Sequence, residues 1–426
     1  MRVIVLGAGL LGIVSAYYLR KHGLDVHVVE KEMAPAQGAS FGNGGYCQSS
    51  IPDPWNAPGS AGVLFKSLWR SATRRGDNSP VSMSLTSIGS FAGWGKKFVD
   101  NSDPETYLKH TVINWKLAQY SKQSLRQLEN TEALNYSFKK TGALMIARDR
   151  TTFERYKVIA EQISTLGVAI RILDRVELID IEPALAMVSD DLVGGIHLPN
   201  DCVGDSQLFC EQIAAVCKSI GVEFSYGQAA TQIIKRKSNF IVEYDIGTIE
   251  SDLVVVTAGT ASVDLLRSLG IRLPIVPAKG YTLTLPLDVL DNPPTHVIGD
   301  LSTHIGAVPL GNSFRLAGVA EFVGIKRGVS DKRTRYLVKH FGRLFPQYAD
   351  VDIRKYSDLW YGFRPLSADG LPFIGQTRVA GIYVNTGHGG LGWTQAAGSS
   401  RALADLIAGQ QPSIGLGDFS ACRFSD

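Results

Sequence analysis

The chain has 426 residues, 45% hydrophobic and 19% charged, with 44 glycines and 18 prolines. That length is more than one compact core normally holds, so two domains are expected, and the composition excludes a disordered, collagenous or coiled-coil chain. The 43 basic and 40 acidic residues leave a net charge of +3, which argues against a dedicated nucleic-acid binder.

Val3, Ile4, Val5 and Leu6 form a short β-branched run of the kind that makes a buried parallel strand. The run leads directly into Gly7-Ala8-Gly9-Leu10-Leu11-Gly12. Ile13, Ala16, Tyr17 and Leu19 then recur at helical spacing until Gly23 supplies a stop, and Val26-His27-Val28-Val29 is a second strand with Glu30 at its end. This is the most apolar stretch of the chain. The three glycines and then Arg20, Lys21 and His22 interrupt it before a membrane span accumulates, and only Arg2 precedes it as a charged n-region. It is therefore read as neither a transmembrane helix nor a signal peptide.

Strand, glycine turn, helix, strand and acid are together the parts of a dinucleotide site. Gly7 permits the tight turn, Gly9 lets the backbone approach a pyrophosphate, and Gly12 lets the helix lie close on the strand. The helix N-terminus offers free N–H groups to the phosphates, with Leu10 and Leu11 in its first turn. Glu30, eighteen residues after Gly12, is placed to accept from a ribose 2′-hydroxyl, with Lys31 beside it. The motif alone does not choose between FAD and NAD. The glycine-rich stretch at 38–45, with Ser40, Asn43 and Gly44, is either a loop that follows a long cofactor toward its redox end or a surface loop.

Residues 46–200 carry no second nucleotide fingerprint, repeat or low-complexity tract. Amphipathic stretches at 112–128 and 153–166 predict helices, and strands are expected at 142–147 and 194–198. At 63–75, Lys66, Arg70 and Arg74 are four apart, which puts them on one helical face. Such a face can lie on an anionic membrane surface or be merely solvated. Five cysteines, Cys47, Cys202, Cys210, Cys217 and Cys422, include no CxxC and no partnered histidine spacing. They suggest reduced thiols in the cytoplasm, with no disulfide scaffold and no metal site.

Asp205 is a plausible N-cap for a helix with Phe209, Ile213, Val216 and Ile220 on its apolar stripe, ended by Gly221. Strands are expected at 222–226, 232–236, 240–244 and 253–256, the last running into Thr257-Ala258-Gly259. In a doubly wound sheet, that turn brings backbone to the cofactor at the strand's carboxyl end, so Ala258 and Gly259 join the candidate set. Cofactor-domain architecture thus resumes about two hundred residues after it began, and the domain must be discontinuous. The expected division is 1–45, 200–275 and 355–426 for the cofactor and 46–199 and 276–354 for the substrate.

Toward the C-terminus, Trp360-Tyr361-Gly362-Phe363-Arg364-Pro365 is followed by a strand at 381–385, then Thr386-Gly387-His388-Gly389-Gly390-Leu391-Gly392-Trp393-Thr394 and a helix over 395–407. Four glycines around His388, between strand and helix, put bare N–H groups beside something large and electron-rich; a helix N-terminus there would stabilise charge on a reduced flavin. The Arg364 guanidinium can grip a carboxylate bidentately, or can pair with Asp369 or another acid as a structural ion pair.

These segments, together with Ser40-Phe41-Gly42-Asn43, Gly195-Ile196-His197-Leu198-Pro199-Asn200-Asp201 and Lys279-Gly280-Tyr281, resemble in order the D-amino-acid dehydrogenase small-subunit family. That family lies within the D-amino-acid oxidase superfamily of flavoproteins. The resemblance implies an α/β fold. One part is a Rossmann-type, glutathione-reductase-like FAD domain, and the other is a discontinuous α+β substrate domain built on an antiparallel sheet. It also implies noncovalent FAD, oxidation of an amine next to a carboxylate, and electron delivery to a quinone or other membrane acceptor. Carried over by position, Arg364 resembles the superfamily's carboxylate-binding arginine, Tyr281 falls in a segment near the substrate, and residues 389–394 resemble the stretch that contacts the flavin ring. Sarcosine oxidases attach flavin to a cysteine two residues before the Arg364 position; here that residue is Gly362. Where the family commonly reads Asn-Ala-Gly-Glu-Val-Ser, this chain reads Asn43-Gly44-Gly45-Tyr46-Cys47-Gln48, which leaves the substrate open.

The reading is an enzyme that holds a D-amino acid, or a D-proline derivative, by its carboxylate on Arg364 and transfers the α-hydride to flavin N5. The imino acid formed hydrolyses to a 2-oxo acid. No acid–base pair is required, and His388 is read as a residue of the flavin loop before a catalytic base. The alternatives are a glycine- or sarcosine-type oxidase using oxygen, a nicotinamide dehydrogenase, which would not explain the C-terminal glycine run, and a non-catalytic subunit of a flavoprotein complex. The expected location is cytoplasmic, with peripheral contact on the inner face of the membrane.

Overall fold

The computed structural model describes residues 1–60, Gly62, Lys66, 80–84 and 88–424; the 63–75 segment lies, apart from Lys66, outside them. Among the described residues, no helix is long and apolar enough to cross a membrane. All five cysteines are free thiols.

The first strand, Arg2–Leu6, lies at the centre of a six-stranded sheet ordered Phe373–Gln376, Ile382–Thr386, Leu253–Val256, Arg2–Leu6, Asp25–Val29, Glu223–Ser225. All neighbours are parallel except the first pair. Alternation along Arg2–Leu6 explains why its apolar run is continuous. Val3 and Val5 pack with Ile13, Val14, Phe209 and Ala397 on the helical face. Ile4 and Leu6 pack with Ile233, Phe240 and Val242 of a three-stranded meander on the other. The helices are Leu10–Lys21, Ser206–Ser219 and Gly392–Ile407. Asp205 caps the second as expected, its Oδ1 accepting from the N–H groups of Gln207 and Leu208. The meander is Ala230–Lys235, Phe240–Tyr244 and Gly247–Ser251; its last strand was not anticipated, being short and mostly exposed.

A larger sheet is ordered Asp358–Ser367, Ile275–Pro286, Ser313–Phe322, Ile305–Leu310, Val297–Asp300, Ala143–Ala147, Gly194–Leu198, Arg171–Leu173. It is mostly antiparallel, with Val297–Asp300 parallel to Ala143–Ala147 and Val81–Met83 parallel to Ser313–Phe322. One face is closed by a core of Leu144, Ile146, Leu283, Phe314, Leu316, Phe341 and Phe345, which includes the helix Asp331–Leu344. The other faces a cavity. The segment 355–426 divides between the two sheets. Asp358–Ser367 pairs along ten residues with Ile275–Pro286, so it departs from the single allotment expected from the sequence. The predicted helix at 112–128 is the middle of Pro104–Glu132, capped by Asp103, and the one at 153–166 is Arg150–Ser164.

Candidate active site

Strand order reverses beside Arg2–Leu6, whose partners Asp25–Val29 and Leu253–Val256 lie on opposite sides. A crevice therefore opens at the carboxyl ends of these strands, the place where open α/β sheets bind ligands. Thr257 N–H donates to Leu6 O at 3.0 Å and Gly7 N–H to Val29 O at 2.8 Å, so the two turns that follow are held side by side. Gly7 has φ 105°, and a Cβ on Gly12 would lie 1.8 Å from Gly7 O. No other residue allows this turn and this helix approach together. The helix Leu10–Lys21 has Gly9 as N-cap with no side chain to occupy its amides, and among the described residues only Leu10 N–H is taken, by Ser40 Oγ at 3.1 Å. Glu30 is fixed through both carboxylate oxygens, accepting from Ala8 N–H at 2.5 Å and Glu32 N–H at 3.0 Å.

From this crevice a continuous cavity of about 820 Å³ runs to the larger sheet. Of the residues singled out for the cofactor, Gly7, Gly9, Leu10, Leu11, Glu30, Lys31, Ser40, Asn43, Gly44, Ala258, Gly259, Gly389, Gly390, Leu391, Gly392 and Trp393 all line it. Gly12 and Thr394 do not: Gly12 packs behind the turn, and Thr394 Oγ1 accepts from Gln48 N–H at 3.0 Å. Lys31 pairs with Glu32 at 3.4 Å. Asn43 Oδ1 accepts from Gly45 N–H, and Asn43 O accepts from Arg315 Nη1 at 2.6 Å, so the 38–45 loop is pinned to the larger sheet. The helix expected at 395 begins three residues earlier, inside the glycine run, as Gly392–Ile407, and has no side-chain cap. His388, 5% exposed, has no hydrogen-bond partner among the described residues for either ring nitrogen, and burial lowers its pKa to about 3.

Arg364 extends from the edge strand over Gly280, where a Cβ would lie 2.2 Å from Nη1. Its Nη1 donates to Val319 O at 3.0 Å, and its Cζ lies 5.6 Å from the centre of the Trp55 ring. Among the described residues no carboxylate is within ion-pair distance. Asp369 is instead paired with Arg423 at 2.7 Å, so the ion pair of Arg364 with Asp369 allowed by the sequence is not formed. Burial with no counter-charge lowers the guanidinium pKa to about 10, and the group remains cationic at neutral pH. Tyr281 also lines the cavity, but its hydroxyl donates to Glu321, which in turn pairs with Arg333 at 2.7 Å. Burial, then Glu321, pushes the phenol pKa well up.

The sequence reading missed Trp55, Val319, Glu321 and Arg315, because nothing local marks them. They arrive from a loop and from Ser313–Phe322, and only the sheet register brings them to Arg364 and Asn43.

A family model described as DAO, FAD dependent oxidoreductase, matches residues 2–406. A D-amino acid dehydrogenase of Methylobacterium radiotolerans is 34% identical over 428 residues, covering 100% of both chains. Glycine oxidase from Geobacillus kaustophilus superposes with a TM-score of 0.77 at 18% identity, covering 100% of both chains. L-proline dehydrogenase from P. horikoshii gives 0.77 at 17% identity, over 99% of this chain and 97% of that one. The two fold likenesses carry glycine and L-proline names while the sequence relative carries a D-amino-acid name, so the fold alone does not carry stereochemistry.

The donor set fits FAD. An uncapped helix N-terminus and the Gly7–Gly12 approach suit a pyrophosphate, and the Glu30 carboxylate would suit a ribose hydroxyl. The second uncapped helix, on the same cavity with His388 and its two nitrogens without a partner among the described residues, would suit the flavin ring.

Proposed function

The chain belongs to the DAO family of FAD-dependent oxidoreductases, and within it we propose that this enzyme oxidises a D-amino acid and passes the electrons to a quinone-type acceptor. The observation that carries the reading is Arg364, a guanidinium on a cavity wall with no anionic partner among the described residues. A cation so placed is matched by the carboxylate of a ligand, and an arginine fork fixes its orientation as well as its charge.

FAD, when bound, supplies the two-electron acceptor for the α-carbon. The chain's own residues do the rest. Arg364 holds the carboxylate while Val319 O restrains its Nη1, and the Trp55 face limits tilt. Tyr281 is held by Glu321 as a neutral phenol and stiffens this wall. His388 is uncharged at neutral pH, so it adds no positive charge to the cavity wall. The imino acid released hydrolyses in water to a 2-oxo acid and ammonia; a cyclic secondary amine, such as a proline derivative, stops at the cyclic imine.

The D-configuration is supported by full-length relatives of that name, and the dehydrogenase name supports an acceptor other than oxygen. The six-stranded sheet with its helices and meander is proposed as the FAD domain, and the larger sheet as the substrate domain. Peripheral membrane contact rests only on the charge pattern at 63–75. The test is anaerobic flavin reduction against paired D- and L-amino acids, including prolines and sarcosine, followed by reoxidation with quinone analogues or oxygen. Reduction by D-enantiomers and reoxidation by quinones is expected. Equal use of both enantiomers removes the D-specificity, and peroxide formation as fast as quinone reduction makes the protein an oxidase.

A further inference from the structure

Beyond Arg364 the cavity continues over the larger sheet into a lobe whose walls are Met145, Ile196, Leu198, Val297, Ile305 and Val308. Such a lining would suit an aliphatic side chain, except that polar groups also line it, among them Asp53, Tyr156 and His304.

The Asp53 carboxylate is held by two donors, Gln48 Nε2 at 2.8 Å on Oδ1 and Tyr107 OH at 3.0 Å on Oδ2. Each oxygen thus keeps acceptor capacity. Among the described residues no cation pairs with Asp53, and burial raises its pKa even against these two hydrogen bonds. The Tyr156 hydroxyl and the His304 imidazole make no hydrogen bond within the described residues, and both lie close enough to Asp53 to feel its charge. Arg155 rests against the Tyr156 ring at 5.3 Å and forms no ion pair with Asp53. The other carboxylate of the lobe, Asp300, is already spent on Arg148 Nε and the N–H groups of Ser302 and Thr303.

The two ends of the cavity are connected through neighbouring strands. The guanidinium lies over Gly280 and reaches Val319, on Ser313–Phe322. The neighbouring strand, Ile305–Leu310, begins directly after His304, and a Cβ on Gly318 would lie 3.5 Å from His304 O. Adjacent strands are about 4.8 Å apart, so the His304 backbone stands about one strand spacing from the strand whose Val319 carbonyl Arg364 reaches. Asp53 and Trp55 come from the same loop, Trp55 under Arg364 and Asp53 two residues back toward the lobe.

We propose that Asp53, with Tyr156 and His304, is a specificity-determining subsite that accepts a hydrogen-bond donor, a hydroxyl or an ammonium, on the end of the substrate remote from its carboxylate. This rests on the reading of Arg364 as the carboxylate holder. An apolar substrate would leave a buried carboxylate short of partners, which a polar site rejects far more strongly than an apolar pocket rejects an extra methylene.

The experiment uses the FAD-loaded enzyme and compares near-isosteric D-amino acids by anaerobic flavin reduction: homoserine against norvaline for the hydroxyl, ornithine against norleucine for the ammonium. The readout is the ratio of kcat/KM within each pair, which cancels any loss of active protein. In the parent enzyme, a preference of about tenfold or more for one polar member is expected, and which pair shows it identifies the donor. Asp53→Asn and, separately, Tyr156→Phe should bring that ratio toward one. Equal use of polar and apolar members by the parent, or an unchanged ratio in both variants, overturns the subsite while leaving Arg364 and the oxidation intact. Flavin reduction by neither member of either pair, nor by any amino acid of the wider panel, overturns the parent reading and this one with it.

Discussion

Arg364 and Val319 are joined by one hydrogen bond, Nη1 to carbonyl oxygen at 3.0 Å, and Val319 makes it from φ 65°. A β-branched residue in the left-handed region is strained. The cause is a bulge: Lys279 faces Glu321 and Tyr281 faces Gly318, so Gly280 alone stands opposite Val319 and Ala320. The extra residue turns a carbonyl toward the cavity, and the missing side chain at 280 leaves room for the guanidinium.

Arg364→Lys keeps the charge and loses the fork. kcat/KM for amino acids should fall by roughly a hundredfold, about 2.7 kcal/mol of transition-state stabilisation. Gly280→Ala should act in the same direction, because its Cβ occupies the place of Nη1. Steady-state kinetics with a dye acceptor measures both, and parental kinetics in Arg364→Lys would mean that the carboxylate is held elsewhere.

Glu30→Lys removes an acceptor at the ribose end and places a cation beside the Ala8 and Glu32 amides. Affinity for FAD should fall by about 1.5–3 kcal/mol, read by titrating apoprotein with FAD and following fluorescence quenching. Unchanged affinity would remove Glu30 from the site.

FAD should be held without a covalent bond. At 362, the position where a relative's cysteine would stand, a Cβ would lie 2.0 Å from the Trp360 ring. Acid precipitation should send all the yellow colour into the supernatant; colour left on the pellet contradicts this.

His388 makes stability depend on pH. Unfolded, it titrates near 6.5; folded, burial holds its pKa at about 3. Between these values the unfolded chain binds more protons. The contribution is therefore complete above pH 6.5 and is lost as pH falls toward 3. Urea unfolding of the FAD-loaded protein should show the parent losing on the order of a few kcal/mol more than His388→Gln over that window. Parallel curves for the two proteins would show that the imidazole is not buried neutral.

The cofactor crevice was legible in the sequence because its parts are local. Residues 3–30 contain strand, turn, helix, strand and acid in one stretch, and each demand on backbone geometry is met by a glycine next in the chain. The C-terminal run around His388 was legible for the same reason, although its helix begins at Gly392, since glycines there conceal the first turn. The meander strand Gly247–Ser251 and the placing of Asp358–Ser367 in the larger sheet were not, because sheet membership depends on partners far away in the chain.

What the sequence by itself determined is thus the glycine-turn scaffold for FAD, which short-range hydrogen bonding and backbone sterics suffice to specify; Arg364 it only singled out as a candidate. Whether Arg364 was free or paired with Asp369 was decided only by the tertiary structure, which gives Asp369 to Arg423 and Arg364 to Val319 O. The same holds for Asp53: a loop carboxylate has no meaning in sequence until folding sets it in one cavity with Tyr156, on a helix, and His304, in a turn, each more than a hundred residues from the next. Side-chain partners across a sheet follow from register and burial, and those are properties of the whole packed chain.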